Sequence, residues 1–268
     1  MNERAYSPHF IRAMILAAGL GTRFKPWTDR HPKALAPVNG KSLLQRNIEY
    51  LRQYGIEEVV VNVHHFASQI IEALRENNGW GCRYWISDET AEVLETGGGL
   101  KKARPFLERS PFVLMNVDIL TDLDLSAMIA DHFRNRPLAT LAVTDRVTSR
   151  YFLFDDRNEL CGWRNTSTGQ ERMVRPAGGS LVGSGQAGST AAGGGSAGAG
   201  PAQKAFSGIH VIDPAIFSLM TQDGKFSMVD LYLDLAADHP IRAHDHSHSR
   251  LIDVGKPESV QQAEALFP

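Results

Sequence analysis

Residues 14 to 38, MILAAGLGTRFKPWTDRHPKALAPV, pass from an apolar run into a glycine-rich, basic loop. The run from Ala13 to Ala18 has the length of a strand, and it is apolar on both faces, as buried parallel strands are. Small residues occupy positions 17, 18, 19 and 21, so phosphate groups are expected to approach the exposed backbone N–H groups closely. The stretch therefore predicts a strand followed by a phosphate-binding loop.

Two better-known phosphate-binding loops do not fit this spacing. A Walker loop requires Gly-x-x-x-x-Gly-Lys followed by Ser or Thr, which residues 19–37 lack. A dinucleotide-binding turn requires a third glycine and an acid at the end of the second strand, but Phe24 replaces that glycine and Asn-Val-His-His ends that strand. A nucleoside-triphosphate loop fits better, because Arg23 and Lys33 supply two cations to the phosphates. Taken alone, the loop also fits an ordinary surface loop with solvated charges.

Strand and helix patterns alternate through the first half of the chain. The predicted strands cover residues 13–18, 57–63, 82–87, 111–120 and 138–144, and the predicted helices cover 42–55, 66–78, 97–107 and 125–133. Such alternation is typical of mostly parallel strands with helices on both faces of the sheet. We therefore predict an α/β fold, a Rossmann-like three-layer α/β/α arrangement with a mixed, mostly parallel central sheet.

The second half of the chain has a different composition. A hairpin is predicted at residues 151–163, around the polar turn Asp-Asp-Arg-Asn. From Ala177 to Gly200 almost every residue is Gly, Ala or Ser, and these bury too little apolar surface to offset the entropy cost of ordering. Strand and helix patterns resume at residue 204. We interpret residues 1–268 as a single domain with a flexible insert at about 177–202.

Composition argues against several classes of protein. The chain has 268 residues, a formal net charge of -2 and no block of basic residues, so nucleic-acid binding is not expected. The apolar stretches are far shorter than the roughly 20 residues of a membrane-spanning helix, and the first residues lack the apolar core of a signal peptide. The two cysteines form no Cys-x-x-Cys pattern, which favours a reducing compartment. We expect a cytoplasmic protein, of undetermined oligomeric state.

Two aspartates end apolar stretches that are far apart in the sequence. Asp118 lies near the carboxyl end of the fourth predicted strand, where open α/β sheets bind ligands, and Asp253 precedes a Val-Gly turn. Each could instead cap its neighbouring turn. If the two converge, their carboxylates with phosphate oxygens and water suit Mg²⁺, which rarely has a cage made of protein alone. The phosphate-binding loop makes a shared Mg²⁺ site the favoured interpretation.

The same loop carries a resemblance to a known family. LAAGLGTRFKPWTDRHPKALAPV is similar to the signature of the sugar-1-phosphate nucleotidyltransferases, Gly-x-Gly-x-Arg followed by Pro-Lys-x-Leu-x-Pro-Val. The likeness continues in LETGGGL (94–100), LMNVDIL (114–120), AFSGIHVI (205–212) and LIDVGKPES (251–259). Within the family, LETGGG, FSGI and a short C-terminal region are similar to N-acetylmuramate-1-phosphate uridylyltransferases, and mannose-1-phosphate guanylyltransferase-like proteins share much of this pattern.

The resemblance implies a nucleotide-diphospho-sugar transferase fold and a reaction that makes an NDP-sugar and pyrophosphate from an NTP and a sugar 1-phosphate. The implied substrates are UTP and N-acetylmuramate 1-phosphate or a related hexose 1-phosphate, and a guanylyltransferase acting on mannose 1-phosphate is the alternative. The resemblance also implies that Asp118 and Asp253 hold the catalytic Mg²⁺. A non-catalytic nucleotide-sugar-binding regulator on the same fold is a further alternative.

The expected site residues form three groups besides the metal ligands. Arg23 and Lys33 are the expected catalytic residues. The expected nucleotide-binding residues are Ala17, Ala18, Gly19, Gly21, Thr22, Asn62, Thr96 and Gly97. The expected residues for the sugar phosphate are Glu95, Gly98 and Gly208.

The sequence departs from the family pattern at two places. Val117 precedes the strand-end aspartate, where the family commonly has a glycine that permits close backbone approach. No Glu-Lys-Pro segment follows the fifth strand, although many relatives use its lysine to bind the sugar phosphate. Lys204 or Lys225 could substitute for that lysine. These departures motivate the alternative of a non-catalytic regulator.

Residues 244–249, HDHSHS, place three histidines at alternate positions. On a strand all three would share one face and could bind a transition metal. Imidazole alone fixes neither the ligand number nor the geometry, so we interpret the segment as an exposed polar loop.

Overall fold

The computed structural model describes residues 11–176 and 200–268. The strands are β1 (Arg12–Leu16), β2 (Pro37–Val38), β3 (Lys41–Ser42), β4 (Glu58–Val63), β5 (Arg83–Asp88), β6 (Phe112–Asn116), β7 (Ile119–Thr121), β8 (Ala139–Thr144), β9 (Arg150–Phe154), β10 (Leu160–Asn165), β11 (Gln170–Met173), β12 (Ala202–Ile212), β13 (Ile241–Asp245) and β14 (Leu251–Asp253). The helices are α1 (Leu43–Gln53), α2 (Ala67–Glu76), α3 (Glu95–Lys102), α4 (Arg104–Leu107), α5 (Leu125–Asn135), α6 (Ile216–Leu219), α7 (Met228–Leu235) and α8 (Glu258–Leu266).

The central sheet has the strand order β5-β4-β1-β6-β12-β8-β13, and β12 also pairs with the β9–β10–β11 meander. Strands β5, β4, β1 and β6 are parallel neighbours, and β13 is parallel to β8. Strand β12 is antiparallel to both β6 and β8. Of these seven described strands only β12 is reversed, which confirms the predicted mixed, mostly parallel sheet.

The two faces of the sheet pack against different helices. Along β1, Ala13 and Ile15 belong to one buried apolar cluster and Met14 belongs to the other. Helices α1, α2, α5 and α8 contribute to the first cluster, and α3, α4, α6 and α7 contribute to the second. Because successive strand residues point to opposite faces, this division establishes three layers, α/β/α.

Strand β1 lies where the direction of the chain across the sheet reverses. From β1 the chain proceeds through α1 to β4 and β5, and it then returns through α3 to β6 on the other side of β1. Leu16, the last residue of β1, pairs with Asn62 in β4 and with Asn116 in β6. The loops that follow these strands therefore meet at one edge of the sheet, at a topological switch point where α/β proteins bind ligands.

The predicted strand at residues 111–120 is divided in two. Strand β6 ends at Asn116, and Ile119 begins β7, which pairs with β14 in a separate two-stranded sheet.

Strands β11 and β13 were not predicted, because QERM in β11 is exposed throughout and IRAHD in β13 has only two buried apolar residues. Both depend on pairing with a neighbouring strand rather than on a strong local pattern.

Most of the predicted flexible insert at about 177–202, namely residues 177–199, lies outside the described residues. Ala202, at the end of the predicted insert, belongs to β12. In the described residues, no helix combines enough length and apolar character to cross a membrane. Cys82 and Cys161 are buried, free thiols.

Candidate active site

A cleft of about 450 Å³ lies at the carboxyl ends of β1, β4 and β6. Most of the predicted site residues line it. They are Ala17, Ala18, Gly19, Gly21, Thr22, Arg23, Lys33, Asn62, Glu95, Thr96 and Asp118. The structure therefore brings together the glycine-rich loop, the start of α3 and the end of β6, which the sequence alone could not show to be adjacent.

The glycine-rich loop folds back on itself at Gly21. Gly21 has a φ of 60°, and a Cβ there would lie 2.8 Å from Cγ2 of Thr28 and 3.1 Å from Cβ of Lys33. The carbonyl of Gly21 accepts hydrogen bonds from the Phe24 amide at 2.7 Å and from Oγ1 of Thr28 at 2.9 Å. These close contacts require glycine at position 21, and they place the stem of Lys33 beside the loop.

Asn62 anchors the beginning of the loop. Its Oδ1 accepts hydrogen bonds from the amides of Ala17 at 2.6 Å and Ala18 at 3.3 Å. This corrects the expectation that those two amides are free to bind phosphate, and it gives the buried Asn62 a structural role. Among the described residues, the amides of Gly19 to Gly21 have no such partner, and nothing lies within 4 Å of a Cβ placed on Gly19. Within the part of the chain that the structure describes, Gly19 to Gly21 is therefore the stretch of the loop whose amides remain free of protein partners.

Glu89 holds Asn62 from the other side, and it was missed in the sequence. Its Oε1 accepts a hydrogen bond of 2.8 Å from Nδ2 of Asn62, and its Oε2 accepts one of 3.4 Å from the Leu94 amide. The side chain is 1% exposed, and loss of hydration raises its pKa, against the opposing effect of the Asn62 hydrogen bond. The sequence feature that could have identified Glu89 is its position directly after β5, at the same edge of the sheet as Asn62.

Lys33 and Asp118 form an ion pair across the cleft, with 2.5 Å between Nζ of Lys33 and Oδ2 of Asp118. Their side chains are 11% and 22% exposed, so water screens the pair only partly. The carbonyl of Asp118 accepts a hydrogen bond of 2.8 Å from the Val254 amide. That bond ties the turn after β6 to the turn after β14.

Asp253 lies in the same group of charges. It ends β14 opposite Ile119, the residue that follows Asp118 in the chain. A Cβ placed on Gly255 would lie 2.9 Å from Oδ1 of Asp253 and 3.4 Å from Nη2 of Arg23, so the acid and the guanidinium flank the same glycine. The pairing of β7 with β14 thus brings together two acids that are remote in sequence.

Electrostatics within this group indicate that the two acids repel each other. Loss of hydration raises the pKa of Asp253, the charge of Asp118 raises it further, and Lys33, Arg23 and Arg146 oppose both effects. A divalent cation would relieve that repulsion. No group of three or more His, Cys, Asp or Glu side chains suited to a metal occurs in residues 11–176 and 200–268. Two carboxylates without further protein ligands suit Mg²⁺, which completes its shell with phosphate and water.

The glycines of LETGGG have a packing function. A Cβ on Gly97 would lie 2.4 Å from the Phe226 ring, and a Cβ on Gly98 would lie 2.1 Å from the carbonyl oxygen of Gly224. The segment 224–226 therefore covers both glycines, and the Gly97 amide donates to the Phe226 carbonyl at 2.9 Å. This corrects the expectation that nucleotide or sugar phosphate rests directly on Gly97 and Gly98.

Gly208 also lies outside the cleft lining. Its φ is 76°, and a Cβ there would lie 2.9 Å from Nδ2 of Asn116. Asn116 does line the cleft, and it was not predicted as a site residue. The cleft lining therefore does not support the expected contact between Gly208 and a sugar phosphate, and Gly208 instead packs beside Asn116.

The two candidate substitute lysines differ in position. Lys225 lines the cleft, with its Nζ 3.5 Å from Oε1 of Glu95. Lys204 is paired with Asp145 at 2.7 Å and with Asp245 at 2.5 Å, so two carboxylates neutralise its charge. Lys225 is therefore the better placed of the two to meet a substrate.

The histidines of HDHSHS occupy three different environments. His244 lies in β13, with its Nδ1 3.5 Å from Oδ2 of Asp131. His246 is 4% exposed, and its Nε2 lies 2.8 Å from Oγ of Ser207. His248 is exposed. Residues 244 and 245 therefore end β13 and His246 is buried after it, so only part of the segment is the exposed polar loop that was predicted.

Comparisons with known proteins agree with this geometry. Residues 12–152 match the nucleotidyl transferase family. The chain is 33% identical over 262 residues to the N-acetylmuramate alpha-1-phosphate uridylyltransferase of Caulobacter vibrioides, covering 94% of this chain and 95% of that protein. It is 31% identical over 261 residues to the mannose-1-phosphate guanyltransferase of Yarrowia lipolytica, covering 96% of this chain and 64% of that protein.

Solved structures share the fold. HddC from Yersinia pseudotuberculosis, complexed with GMP-PN, is 22% identical with a TM-score of 0.70, covering 97% of this chain and 100% of that chain. A UDP-glucose pyrophosphorylase complexed with UDP-glucose is 16% identical with a TM-score of 0.71, covering 96% and 98%. The chain belongs to the nucleotidyl transferase family, within which it is a sugar-1-phosphate nucleotidyltransferase.

Proposed function

We propose that this enzyme transfers a uridylyl group from UTP to N-acetylmuramate 1-phosphate and releases pyrophosphate. The observation that carries the reaction is the meeting of Arg23, Lys33 and Asp118 in the lining of one cleft beside an open glycine loop, with Asp253 next to Arg23 across Gly255. The choice of substrates is supported by the Caulobacter relative, which aligns over almost the full length of both chains. We further propose that the enzyme is cytoplasmic and that its nucleotide-sugar product is used in cell-wall synthesis.

The proposed reaction is an in-line displacement at the α-phosphorus of the nucleotide. A phosphate oxygen of the sugar 1-phosphate forms a new P–O bond, and the bond between the α-phosphorus and the α,β-bridging oxygen breaks, with its electron pair leaving on pyrophosphate. Little covalent chemistry is required of the protein, so positioning and charge neutralisation dominate. Arg23, Lys33 and the amides of Gly19 to Gly21 would hold the triphosphate and stabilise the leaving group.

We propose that Asp118 and Asp253 hold Mg²⁺ in this reaction. Bound Mg²⁺ would supply positive charge to the phosphate oxygens, and the two carboxylates would hold it. Lys33 would then orient Asp118, since the two already form an ion pair.

A guanylyltransferase acting on mannose 1-phosphate is the second candidate, because the Yarrowia relative also aligns along nearly all of this chain. A pyrophosphate-release assay should separate the two. We expect turnover with UTP and N-acetylmuramate 1-phosphate that exceeds turnover with GTP and mannose 1-phosphate at least tenfold. The reverse preference would establish the second candidate. Saturable nucleotide binding without turnover on any pair would contradict catalysis and favour a regulatory protein.

The proposed metal site predicts that Asp118→Asn reduces kcat at least 100-fold at saturating Mg²⁺, because a neutral amide is a poorer ligand for a hard cation. The control is Asp156→Asn, which removes an equal charge from the exposed hairpin turn. Circular dichroism and thermal unfolding should show both variants folded. A kcat for Asp118→Asn close to that of the control would remove Asp118 from the metal site.

A further inference from the structure

The cleft carries a charged pair on the wall formed by the start of α3 and residues 224–226. Lys225 and Glu95 both line the cleft, and Nζ of Lys225 lies 3.5 Å from Oε1 of Glu95. Their side chains are 55% and 45% exposed, so both are open to a ligand. The pair of Lys33 and Asp118 is tighter, at 2.5 Å. Because a long, exposed ion pair contributes little to stability, Lys225 and Glu95 can exchange it for contacts with a substrate.

The backbone that carries Lys225 is fixed, although its side chain is held loosely. The next residue, Phe226, accepts a hydrogen bond of 2.9 Å from the Gly97 amide and donates one of 3.3 Å from its own amide to the Leu94 carbonyl. A Cβ on Gly97 would lie 2.4 Å from the Phe226 ring, so the two residues are in close contact. The ammonium group of Lys225 is therefore presented to the cleft from a preorganised wall.

Glu95 has a backbone conformation that glycine would adopt more easily. Its φ is 60°, in the left-handed region that residues with a Cβ disfavour. A carboxylate in the first turn of α3 is favourable for the helix, but this effect does not require the left-handed residue itself to carry the carboxylate. A strained residue whose side chain lines a cleft points to a contact with a ligand.

The charges of the proposed substrates indicate which of them meets this pair, a step that rests on the proposed function. Apart from its phosphates, UTP has no charged group, and those phosphates are assigned to Arg23, Lys33 and the glycine loop. N-acetylmuramate 1-phosphate carries a second anion, the carboxylate of its lactyl ether, and the neighbouring ring carbon carries an acetamido N–H. A cation beside an acid therefore matches a carboxylate beside an N–H donor.

We propose that Lys225 and Glu95 determine acceptor specificity. Lys225 binds the lactyl carboxylate, and Glu95 accepts a hydrogen bond from the acetamido N–H. Neither contact involves the reacting phosphate, so the pair distinguishes this sugar from other hexose 1-phosphates without taking part in the chemical step. This role differs from the phosphate contact considered above for Lys225, because it concerns a group that most hexose 1-phosphates lack.

The first test compares acceptors that differ by one group. N-acetylglucosamine 1-phosphate lacks the lactyl carboxylate, and glucose 1-phosphate lacks the acetamido group as well. We expect Lys225→Met to raise the KM for N-acetylmuramate 1-phosphate about 10- to 100-fold, because it removes a charge-assisted hydrogen bond. The KM for UTP and the inhibition constants of the other two sugar phosphates should stay within about twofold of wild type. Lys225→Arg should recover part of the loss.

Glu95→Gly tests the second contact, and glycine accommodates the φ of 60°. It should raise the inhibition constant of N-acetylglucosamine 1-phosphate about 3- to 10-fold and leave that of glucose 1-phosphate unchanged. These two sugars are used because they lack the carboxylate that a released Lys225 would bind. Lys41→Met is the matched control, since Lys41 is a half-exposed lysine paired with Glu49 and does not line the cleft. Thermal unfolding establishes that each variant is folded.

The outcomes separate this proposal from the proposed function. A wild type that does not turn over N-acetylmuramate 1-phosphate contradicts both. If the wild type does turn it over, an equal loss for all three sugar phosphates in Lys225→Met would place Lys225 at the phosphate, and a loss confined to UTP would place it at the nucleotide. Either result, or unchanged constants, overturns the carboxylate contact alone. The acetamido contact is overturned if Glu95→Gly affects N-acetylglucosamine 1-phosphate and glucose 1-phosphate equally or not at all.

Discussion

Two glycines of the phosphate-binding loop have opposite reasons for lacking a side chain. Gly21 has a positive φ, and a Cβ at this position would lie 2.8 Å from Cγ2 of Thr28 and 3.1 Å from Cβ of Lys33. Nothing lies within 4 Å of a Cβ placed on Gly19, so the absence of a side chain there leaves space for a ligand in the cleft. At the scale of single residues, one glycine therefore maintains the loop and the other maintains access to it.

This difference predicts separable effects of alanine. Gly21→Ala should destabilise the protein by about 2 kcal/mol or more, because alanine is strained at that φ and its Cβ meets Thr28. Gly19→Ala should leave the free energy of unfolding within about 0.5 kcal/mol of wild type and raise the KM for the nucleotide. Urea unfolding and steady-state kinetics measure the two quantities. Equal destabilisation by both substitutions would contradict this distinction.

At the scale of elements, three strand ends are joined by one chain of hydrogen bonds. Glu89 after β5 accepts from Asn62 in β4, and Asn62 accepts from Ala17 and Ala18 after β1. The bonds orient the start of the loop relative to the sheet. The buried carboxylate of Glu89 accepts one short hydrogen bond, from Nδ2 of Asn62, and one longer hydrogen bond, from the Leu94 amide.

Asn62→Ala is therefore expected to cost about 2–3 kcal/mol of stability, because it leaves buried polar groups of Glu89, Ala17 and Ala18 without their partner. The KM for the nucleotide should rise as the loop loses its anchor. Asn77→Ala at the exposed end of α2 is the control. Denaturant unfolding and kinetics with varied nucleotide give both values, and a variant resembling the control would show that the network is dispensable.

At the scale of the whole molecule, three histidines of the described residues, His132, His210 and His246, are buried, and none of them lines the cleft. Burial lowers the pKa of His210 to about 3 and that of His132 to about 4, and it is also the main reason that the pKa of His246 falls to about 4. Nδ1 of His210 lies 2.7 Å from the Tyr232 hydroxyl inside the core. These side chains are neutral in the folded protein at pH values where the unfolded chain protonates them.

Acidification should therefore destabilise the fold. Between about pH 6.5 and the lowered pKa values, the unfolded state binds more protons, so the free energy of unfolding falls as pH falls. For His210 alone the slope is about 1.4 kcal/mol per pH unit. Urea unfolding at pH 7, 6 and 5 measures how steeply the free energy of unfolding changes with pH. His210→Asn should reduce this slope by about 1.4 kcal/mol per pH unit, which corresponds to one proton. Parallel curves for the two proteins would show that His210 does not contribute.

The amino-acid sequence was enough to predict the glycine-rich loop as a motif, the buried strands β1, β4, β6 and β8, and the residue types available for catalysis. Long apolar runs and helical spacing report burial within one element, so they predict that element without its neighbours. Strands β11 and β13 lack this signal and were not predicted, because pairing with a partner strand holds them in place.

Which side chains lie close together became apparent only from the three-dimensional structure. The pairing of β7 with β14 brings Asp118 and Asp253 together, and segment 224–226 covers Gly97 and Gly98. Asn62 accepts hydrogen bonds from the amides of Ala17 and Ala18, which were expected to bind phosphate. Strand register and crossover paths set these contacts between distant residues, and no local pattern of side chains encodes them.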